Sequence, residues 1–328
     1  MKTPLLYLSA EDVRRALPMP DAIAAMRDAF VQLASGQVTL PPRQHLDAPG
    51  EGGGALVMSC HSAALKLFTL KFLTLFPGNR QQGLPLIQAL VILADGQTGT
   101  HLAILDGAAL TAIRTGAACG LATEVLARRD AAEAAVFGAG VQARTQLEAV
   151  CCVRPIRRAW VYDLDPAAAD RYAAEMTRQL NLPVKRASGP AQALEHADVV
   201  CTATISSTPV FEDRWLQPGA HINAIGSYRP EVAEIPAATV CRARVVVDHL
   251  PSALAEAGDL LQPLKQCLIA PSHFSTELGE VLLGRAPGRR GAAEITLFKS
   301  VGVAIQDLCA AARALENARR LGLGLELP

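Results

Sequence analysis

The sequence has no excess charge of either sign: its 328 residues carry 31 lysines and arginines against 31 aspartates and glutamates. With no general field to draw in a polyanion, neither nucleic acid nor an anionic membrane surface is expected as a partner. Aromatic residues are scarce at 4%. No apolar run approaches the roughly 20 residues that cross a bilayer. The amino terminus, Met1-Lys-Thr-Pro-Leu-Leu-Tyr-Leu-Ser-Ala-Glu-Asp12, reaches charge too soon to hold a signal-peptide core, so a cytoplasmic protein is expected. The eight cysteines (Cys60, Cys119, Cys151, Cys152, Cys201, Cys241, Cys267 and Cys309) form no C-x-x-C, and the seven histidines (His45, His61, His101, His196, His221, His249 and His273) show no ligand spacing. No metal is therefore expected. The cysteines read as reduced small hydrophobes, and the histidines as surface or hydrogen-bonded core residues. Arg285, Arg289 and Arg290 lie among Gly and Pro and read as a solvated loop.

What the chain has is hydrophobicity, at 50% of its residues, enough for a sizeable core divided over two domains. Ser9 with Asp12 predicts an N-cap, and Pro20 opens a second helix over 21–34 with Ile23, Met26, Phe30 and Leu33 on one stripe. From Thr39 to Leu105, short apolar runs separated by Gly, Pro, Asn and Asp predict a sheet with hairpin turns, and Asp106-Gly107 opens a helix to Ala127. After Asp130, strand and helix alternate through 244–248, the rhythm of a parallel, doubly wound sheet, and a final helix runs to about Leu321. The expected class is α/β: a doubly wound Rossmann domain plus a smaller α+β domain.

Within that alternation one stretch carries chemistry. The apolar run Ala134-Ala-Val-Phe137 passes straight into Gly138-Ala-Gly-Val-Gln-Ala143, with a helix-forming segment behind it. Gly138 permits the tight turn, Gly140 lets a pyrophosphate approach the backbone, and Ala143 takes the third small position, where helix packs on strand. The free amides of the helix start would meet phosphate oxygens. Asp163 ends the next predicted strand 25 positions after Gly138, near the spacing at which a carboxylate takes the ribose hydroxyls of NAD.

Three cations stand out because their surroundings are apolar. Lys71 is central in Leu65-Lys-Leu-Phe-Thr-Leu-Lys-Phe-Leu-Thr-Leu-Phe76, with no acid nearby in sequence; Lys66, on the opposite face by parity, is near enough to the strand start to reach water. A buried ammonium needs either a carboxylate from elsewhere or a bound anion. Arg114 poses the same question within Leu110-Thr-Ala-Ile-Arg-Thr-Gly-Ala117, and Arg43 follows the stiff Pro41-Pro42. Structural salt bridges and a carboxylate-binding cluster both answer it. Three cations together beside a dinucleotide unit favour the cluster, since a guanidinium grips a carboxylate bidentately and a lysine can also give up a proton.

Arg43, Lys71-Phe-Leu-Thr-Leu-Phe-Pro-Gly-Asn79, Leu110–Ala117, Gly138–Gln142, Ile222-Asn-Ala-Ile-Gly-Ser-Tyr-Arg-Pro230 and Leu297-Phe-Lys-Ser-Val-Gly302 come in an order that resembles the ornithine cyclodeaminase/μ-crystallin family from end to end. The resemblance implies a homodimer. It implies a substrate-binding and dimerisation domain over 1–117, completed by 301–328, and a Rossmann domain over 118–300. It also implies NAD(P)-dependent chemistry at a carbon bearing an amino or imino group, with NAD(H) favoured and NADP(H) possible. Carried over by position, Arg43, Lys71 and Arg114 correspond to the substrate-carboxylate set. Gly138, Ala139, Gly140, Val141, Gln142, Asp163, Thr202, Ala224, Ile225, Gly226 and Ser300, with Arg114, correspond to cofactor contacts.

Cyclodeaminases of the family carry a catalytic aspartate two residues before the proline of the Gly226-Ser-Tyr-Arg-Pro230 turn; here that position is Tyr228, which places the chain nearer the ketimine reductase and Δ1-pyrroline-2-carboxylate reductase branch. The expected reaction is reduction of a cyclic ketimine carboxylate, Δ1-pyrroline-2-carboxylate to L-proline or Δ1-piperideine-2-carboxylate to L-pipecolate. Lys71 and Tyr228 are the candidates for handling the proton. Ornithine cyclodeamination, alanine dehydrogenase-like amino-acid oxidation and non-catalytic NAD(P)H or ligand binding are the alternatives.

Overall fold

In a computed structural model describing residues 4–327, the chain opens with β1 (Leu5–Leu8) and α1 (Ala10–Ala16). Ser9 Oγ accepts the Asp12 amide while Asp12 accepts the Ser9 amide, a reciprocal cap that satisfies two end groups of α1. α2 (Met19–Ala34) follows, with Pro20 in its first turn and Met26, Ala29 and Phe30 buried. β2 (Val38–Thr39), β3 (Gln44–Ala48), β4 (Gly53–Ser62), β5 (Leu67–Leu75), β6 (Ile87–Asp95) and β7 (His101–Asp106) then form the hairpin series, and α3 (Gly107–Leu126) begins where Asp106 accepts the Ala109 amide. Lys66 lies in the turn before β5, exposed and in the left-handed region at φ 53°.

The second stretch is built from β8 (Glu133–Phe137), α4 (Val141–Val153), β9 (Arg158–Tyr162), α5 (Pro166–Leu180), β10 (Val184–Arg186), α6 (Pro190–Leu194), β11 (Val199–Thr202), β12 (His221–Ala224), α7 (Ala237–Arg242), β13 (Arg244–Val247), α8 (Leu250–Glu256), α9 (Gly258–Lys265), α10 (Leu278–Leu282) and β14 (Thr296–Lys299). Its seven strands lie in the order β10-β9-β8-β11-β12-β14-β13, and every pairing is parallel. Alternation along β8 shows why the sheet is wound on both faces: Ala134 and Val136 enter one apolar core, Ala135 and Phe137 the other. The chain steps outward one way from β8 and returns to the other side with β11. Ligands of such sheets bind at that reversal, beyond the strands' C-terminal ends.

α11 (Ala304–Leu321) and β15 (Leu325–Leu327) return to the first stretch. Packing divides the chain into Met1–Arg114 with Val303–Pro328, and Thr115–Gly302. The first unit's sheet runs β15-β1-β7-β6-β5-β4-β2, with β3 also on β4; β1 pairs parallel with β7 and the other pairings are antiparallel. α11 lies on α2 and on β4, β5 and β6. Odd-numbered Thr69, Lys71 and Leu73 of β5 face this buried side, while Phe68, Leu70 and Phe72 stay exposed on the other. Among the described residues no helix is long and apolar enough to cross a membrane.

One expectation needs correcting. Arg289 is no solvated loop residue: its guanidinium donates to the carbonyls of Leu126 (2.7 Å), Ala220 (3.2 Å) and Glu294 and to Thr296 Oγ1 (2.9 Å). Five N–H donors in one plane let arginine collect strand-end and helix-end carbonyls that have no partner of their own.

Candidate active site

In the first unit the central position of β5 puts Lys71 beneath α11, at 1% exposure, with Met58 and Val91 as its cross-strand neighbours. The carboxylate that its burial demands comes from the first turns of α11: Asp307 Oδ2 lies 2.7 Å from Lys71 Nζ. Asp307 Oδ1 accepts Arg114 Nε at 3.1 Å, and Gln306 Oε1 accepts Arg114 Nη1 at 2.7 Å while also taking the Val303 amide at 3.2 Å. Arg43, half-buried ahead of β3, is near enough for its charge to act on Lys71. The structure thus joins Lys71 and Arg114 through Asp307 and braces Arg114 further with Gln306, two residues that sequence reasoning missed. The one signal available was a pair of polar residues set within the apolar stretch 301–311.

The electrostatics follow from this geometry. Burial pushes the Lys71 ammonium down to about 8, the charges of Arg114 and Arg43 push the same way, and Asp307 pulls back. Burial raises the Asp307 carboxyl, but Lys71 and Arg114 outweigh it and hold the group below its ordinary value. Such a cluster can grip a carboxylate. Its lysine also sits where it can exchange a proton near neutrality.

In the second unit the β8–α4 turn has the predicted form. Gly138 is at φ +94°, and a Cβ there would stand 2.6 Å from the Ala203 carbonyl, so the turn requires glycine. Gly140 begins the 13-residue α4 without a side-chain cap, and no atom lies within 4 Å of where its Cβ would be. Val141 is exposed and Gln142 half-buried on the first turn. Asp163, just past β9, accepts the Ala139 amide at 2.8 Å and the Asp165 amide at 2.9 Å, so its carboxylate also fastens the glycine turn. These uncapped amides and this open approach fit a dinucleotide pyrophosphate, with Gly138–Gln142 to hold it and Asp163 beside them.

The remaining predicted contacts lie at the ends of β11, β12 and β14, and a buried network ties them together. Glu234, wholly buried, accepts Thr202 Oγ1 (3.0 Å), the Thr204 amide (2.6 Å), Thr204 Oγ1 (2.7 Å) and the Gly226 amide (2.7 Å). Asp259 accepts the Glu234 and Ile235 amides and pairs with Lys299 at 2.7 Å, and Lys299 reaches the Ser227 carbonyl. Burial and Asp259 push the Glu234 carboxyl up; Lys299 and Thr204 oppose them. Ser300 donates to Asp248 Oδ2, which also takes the Val301 and Gly302 amides. The hydroxyls of Thr202 and Ser300 are therefore engaged within the protein, and Ile225 donates its amide to the Thr202 carbonyl. Tyr228 projects half-buried from the clamped loop, with the Arg229 guanidinium 5.7 Å from its ring centre.

The family described as ornithine cyclodeaminase/mu-crystallin matches residues 5–321. The Δ1-pyrroline-2-carboxylate reductase of Bacillus cereus (strain ZK / E33L) is 37% identical over 321 residues, covering 98% of either chain. The structure of the Thermococcus litoralis Δ1-pyrroline-2-carboxylate reductase in complex with NADH and L-proline has a TM-score of 0.95 at 38% identity, over 98% of this chain and 100% of that one. An archaeal alanine dehydrogenase dimer with bound NAD has a TM-score of 0.92 at 33% identity, over 99% of each.

Proposed function

The chain belongs to the ornithine cyclodeaminase/mu-crystallin family, and from that premise we propose that it is an NADH-dependent reductase of a cyclic ketimine carboxylate, Δ1-pyrroline-2-carboxylate or its six-membered homologue. The observation that carries the reading is the buried set of Lys71, Arg114 and Asp307 with Arg43 beside it. The two arginines grip the substrate carboxylate, and Lys71 shares that grip. Lys71 then gives a proton to the ring nitrogen, because a protonated C=N accepts hydride far more readily than a neutral imine. When bound, NADH supplies that hydride. Holding a rigid ring by its carboxylate fixes the imine carbon for attack, which is the larger part of the task.

Asp163 favours NADH, since its carboxylate accepts ribose hydroxyls and repels a 2′-phosphate. The exposed apolar side chains of Val141, Leu164 and Ile205 stand at the same strand ends and suit the adenine ring. Exposed Leu46, Phe68, Leu70, Phe72 and Leu90 share the outer face of the first unit's sheet as one apolar patch, and we assign it to a second copy in a homodimer. The eight free thiols support a reducing, cytoplasmic setting.

Tyr228 argues against cyclodeamination, which needs a negative group for the side-chain amine and its protons. The test is turnover by purified protein: NADH consumption with each ketimine, with pyruvate plus ammonia, and proline release from ornithine plus NAD. Oxidation of NADH by a ketimine is expected. Efficient proline and ammonia release from ornithine would overturn the reading. NADH binding without consumption would instead support the non-catalytic alternative.

A further inference from the structure

We propose that Asp307 is a positioning residue for the proton transfer: it aims the Lys71 ammonium from the first turns of α11 and keeps it charged within an apolar interior. This rests on the assignment of Lys71 as the proton source. Lys71 is flanked on its own strand by buried Thr69 and Leu73 and across the sheet by Met58 and Val91, none of which carries charge. Among the described residues Lys71 Nζ is ion-paired with Asp307 Oδ2, at 2.7 Å. The other charged groups acting on it are Arg114 from α3 and Arg43 from ahead of β3, and both favour the neutral amine. From β4, Cys60 faces Asp307; burial and that carboxylate push its thiol up to about 12, so it neither competes for the proton nor adds charge. Asp307 is thus the one group that holds the ammonium form.

The geometry holds Arg114 and Lys71 in different ways. Each Asp307 oxygen serves one cation, and Gln306 takes a further nitrogen of Arg114, so the guanidinium is held in a fixed plane while Lys71 is tied at a single point. Three N–H bonds against one partner leave the ammonium with donors to spend on the ring nitrogen. In the transfer the Lys71 Nζ–H bond breaks and an N–H bond forms on that nitrogen. The neutral amine stays beside the Asp307 carboxylate and takes its next proton from water.

The test reads Lys71 directly, without substrate, in lysine-labelled full-length protein followed by NMR titration, with Lys71→Met identifying the signal. Asp307→Asn should lower the Lys71 midpoint by about one to three pH units, the shift expected when an adjacent opposite charge is lost. In parallel, wild-type kcat/KM for ketimine reduction should fall about tenfold per pH unit above the Lys71 midpoint, and the variant's alkaline limb should move with its midpoint. Should Asp307→Asn not fold, Asp307→Glu carries the test: with charge kept but reach altered, the midpoint should stay within about half a unit while kcat drops about tenfold or more. A Lys71 midpoint unmoved in Asp307→Asn, or a folded Asp307→Glu with wild-type kcat, would overturn the proposal. Because the titration needs no turnover, failure of the ketimine assay would remove the functional reading and leave the Asp307–Lys71 coupling separately measured.

Discussion

Each unit buries a three-membered charge cluster, and the two are opposite in sign. Lys71 and Arg114 share the single carboxylate of Asp307; Asp259 pairs with the ammonium of Lys299, whose charge also acts on Glu234. The difference lies in how far each cluster is satisfied by its own chain. Glu234 takes four donors, from the end of β11 and the loops that follow β11 and β12, and Asp259 takes two amides besides its ion pair with Lys299 at the end of β14. A carboxylate so fully engaged has no capacity left for a ligand. Its role is to hold the Thr202–Thr204 and Gly226–Ser227 segments in place. The cationic cluster has an excess of donors over acceptors, the property that a carboxylate substrate requires. Sign and satisfaction together set the two clusters apart.

Perturbing the anionic cluster should therefore register as stability. Lys299→Met strands Asp259 in the interior and should cost about 3–5 kcal/mol, the range for removing one partner of a buried pair. At about 2–4 °C per kcal/mol, the fall in Tm will be plain by calorimetry. An unchanged Tm would erase the distinction between the clusters.

Perturbing the cationic cluster should register in catalysis. Arg114→Ala should cost about 2–5 kcal/mol in kcat/KM for the ketimine, measured on the folded fraction. If Arg114 were only a structural tie to Asp307 and Gln306, the variant would lose Tm while its folded fraction worked at the wild-type rate.

Gly226 tests the clamp more gently. A Cβ there would stand 2.4 Å from the Glu234 carboxylate and equally close to the Thr204 carbonyl, so Gly226→Ala should cost about 1–3 kcal/mol of stability through forced displacement. It should also weaken NADH binding, read by fluorescence titration. A variant equal to wild type in both would show that the loop is not tightly held.

The smallest effect is expected at Asp163. Its carboxylate is engaged with the Ala139 and Asp165 amides, so Asp163→Asn should keep the turn in part while removing the charge that repels a 2′-phosphate. The ratio of kcat/KM for NADH over NADPH should fall by about tenfold, roughly 1.4 kcal/mol. A wild-type preference for NADPH would contradict the role given to this residue.

Within the candidate site, legibility follows distance along the chain. The glycine turn and the following acid lie within 25 positions and report local conformation, so Gly138, Gly140 and Asp163 could be read directly. The same holds for Ser9 with Asp12, and for the apolar stripe of α2. Lys71 and Arg114 announced themselves only as a cost, charges in apolar surroundings that something must offset. What offsets them, Asp307, is 193 positions beyond Arg114. Glu234 offered no comparable sign, because an acid in a polar loop looks the same in sequence whether it faces water or four buried donors.

By itself the sequence determined what short-range physics controls: strand and helix periods, caps, the phosphate turn, and the presence of cations needing partners. Only the tertiary structure decided which carboxylate met which cation, since pairing depends on where α11 packs after the intervening domain is complete. It also decided that one face of β5 is covered and the other open, although the covered face carries Thr69 and Lys71 and the open one Phe68, Leu70 and Phe72. Alternation reveals that a strand has two faces; what lies against each is fixed by elements far along the chain.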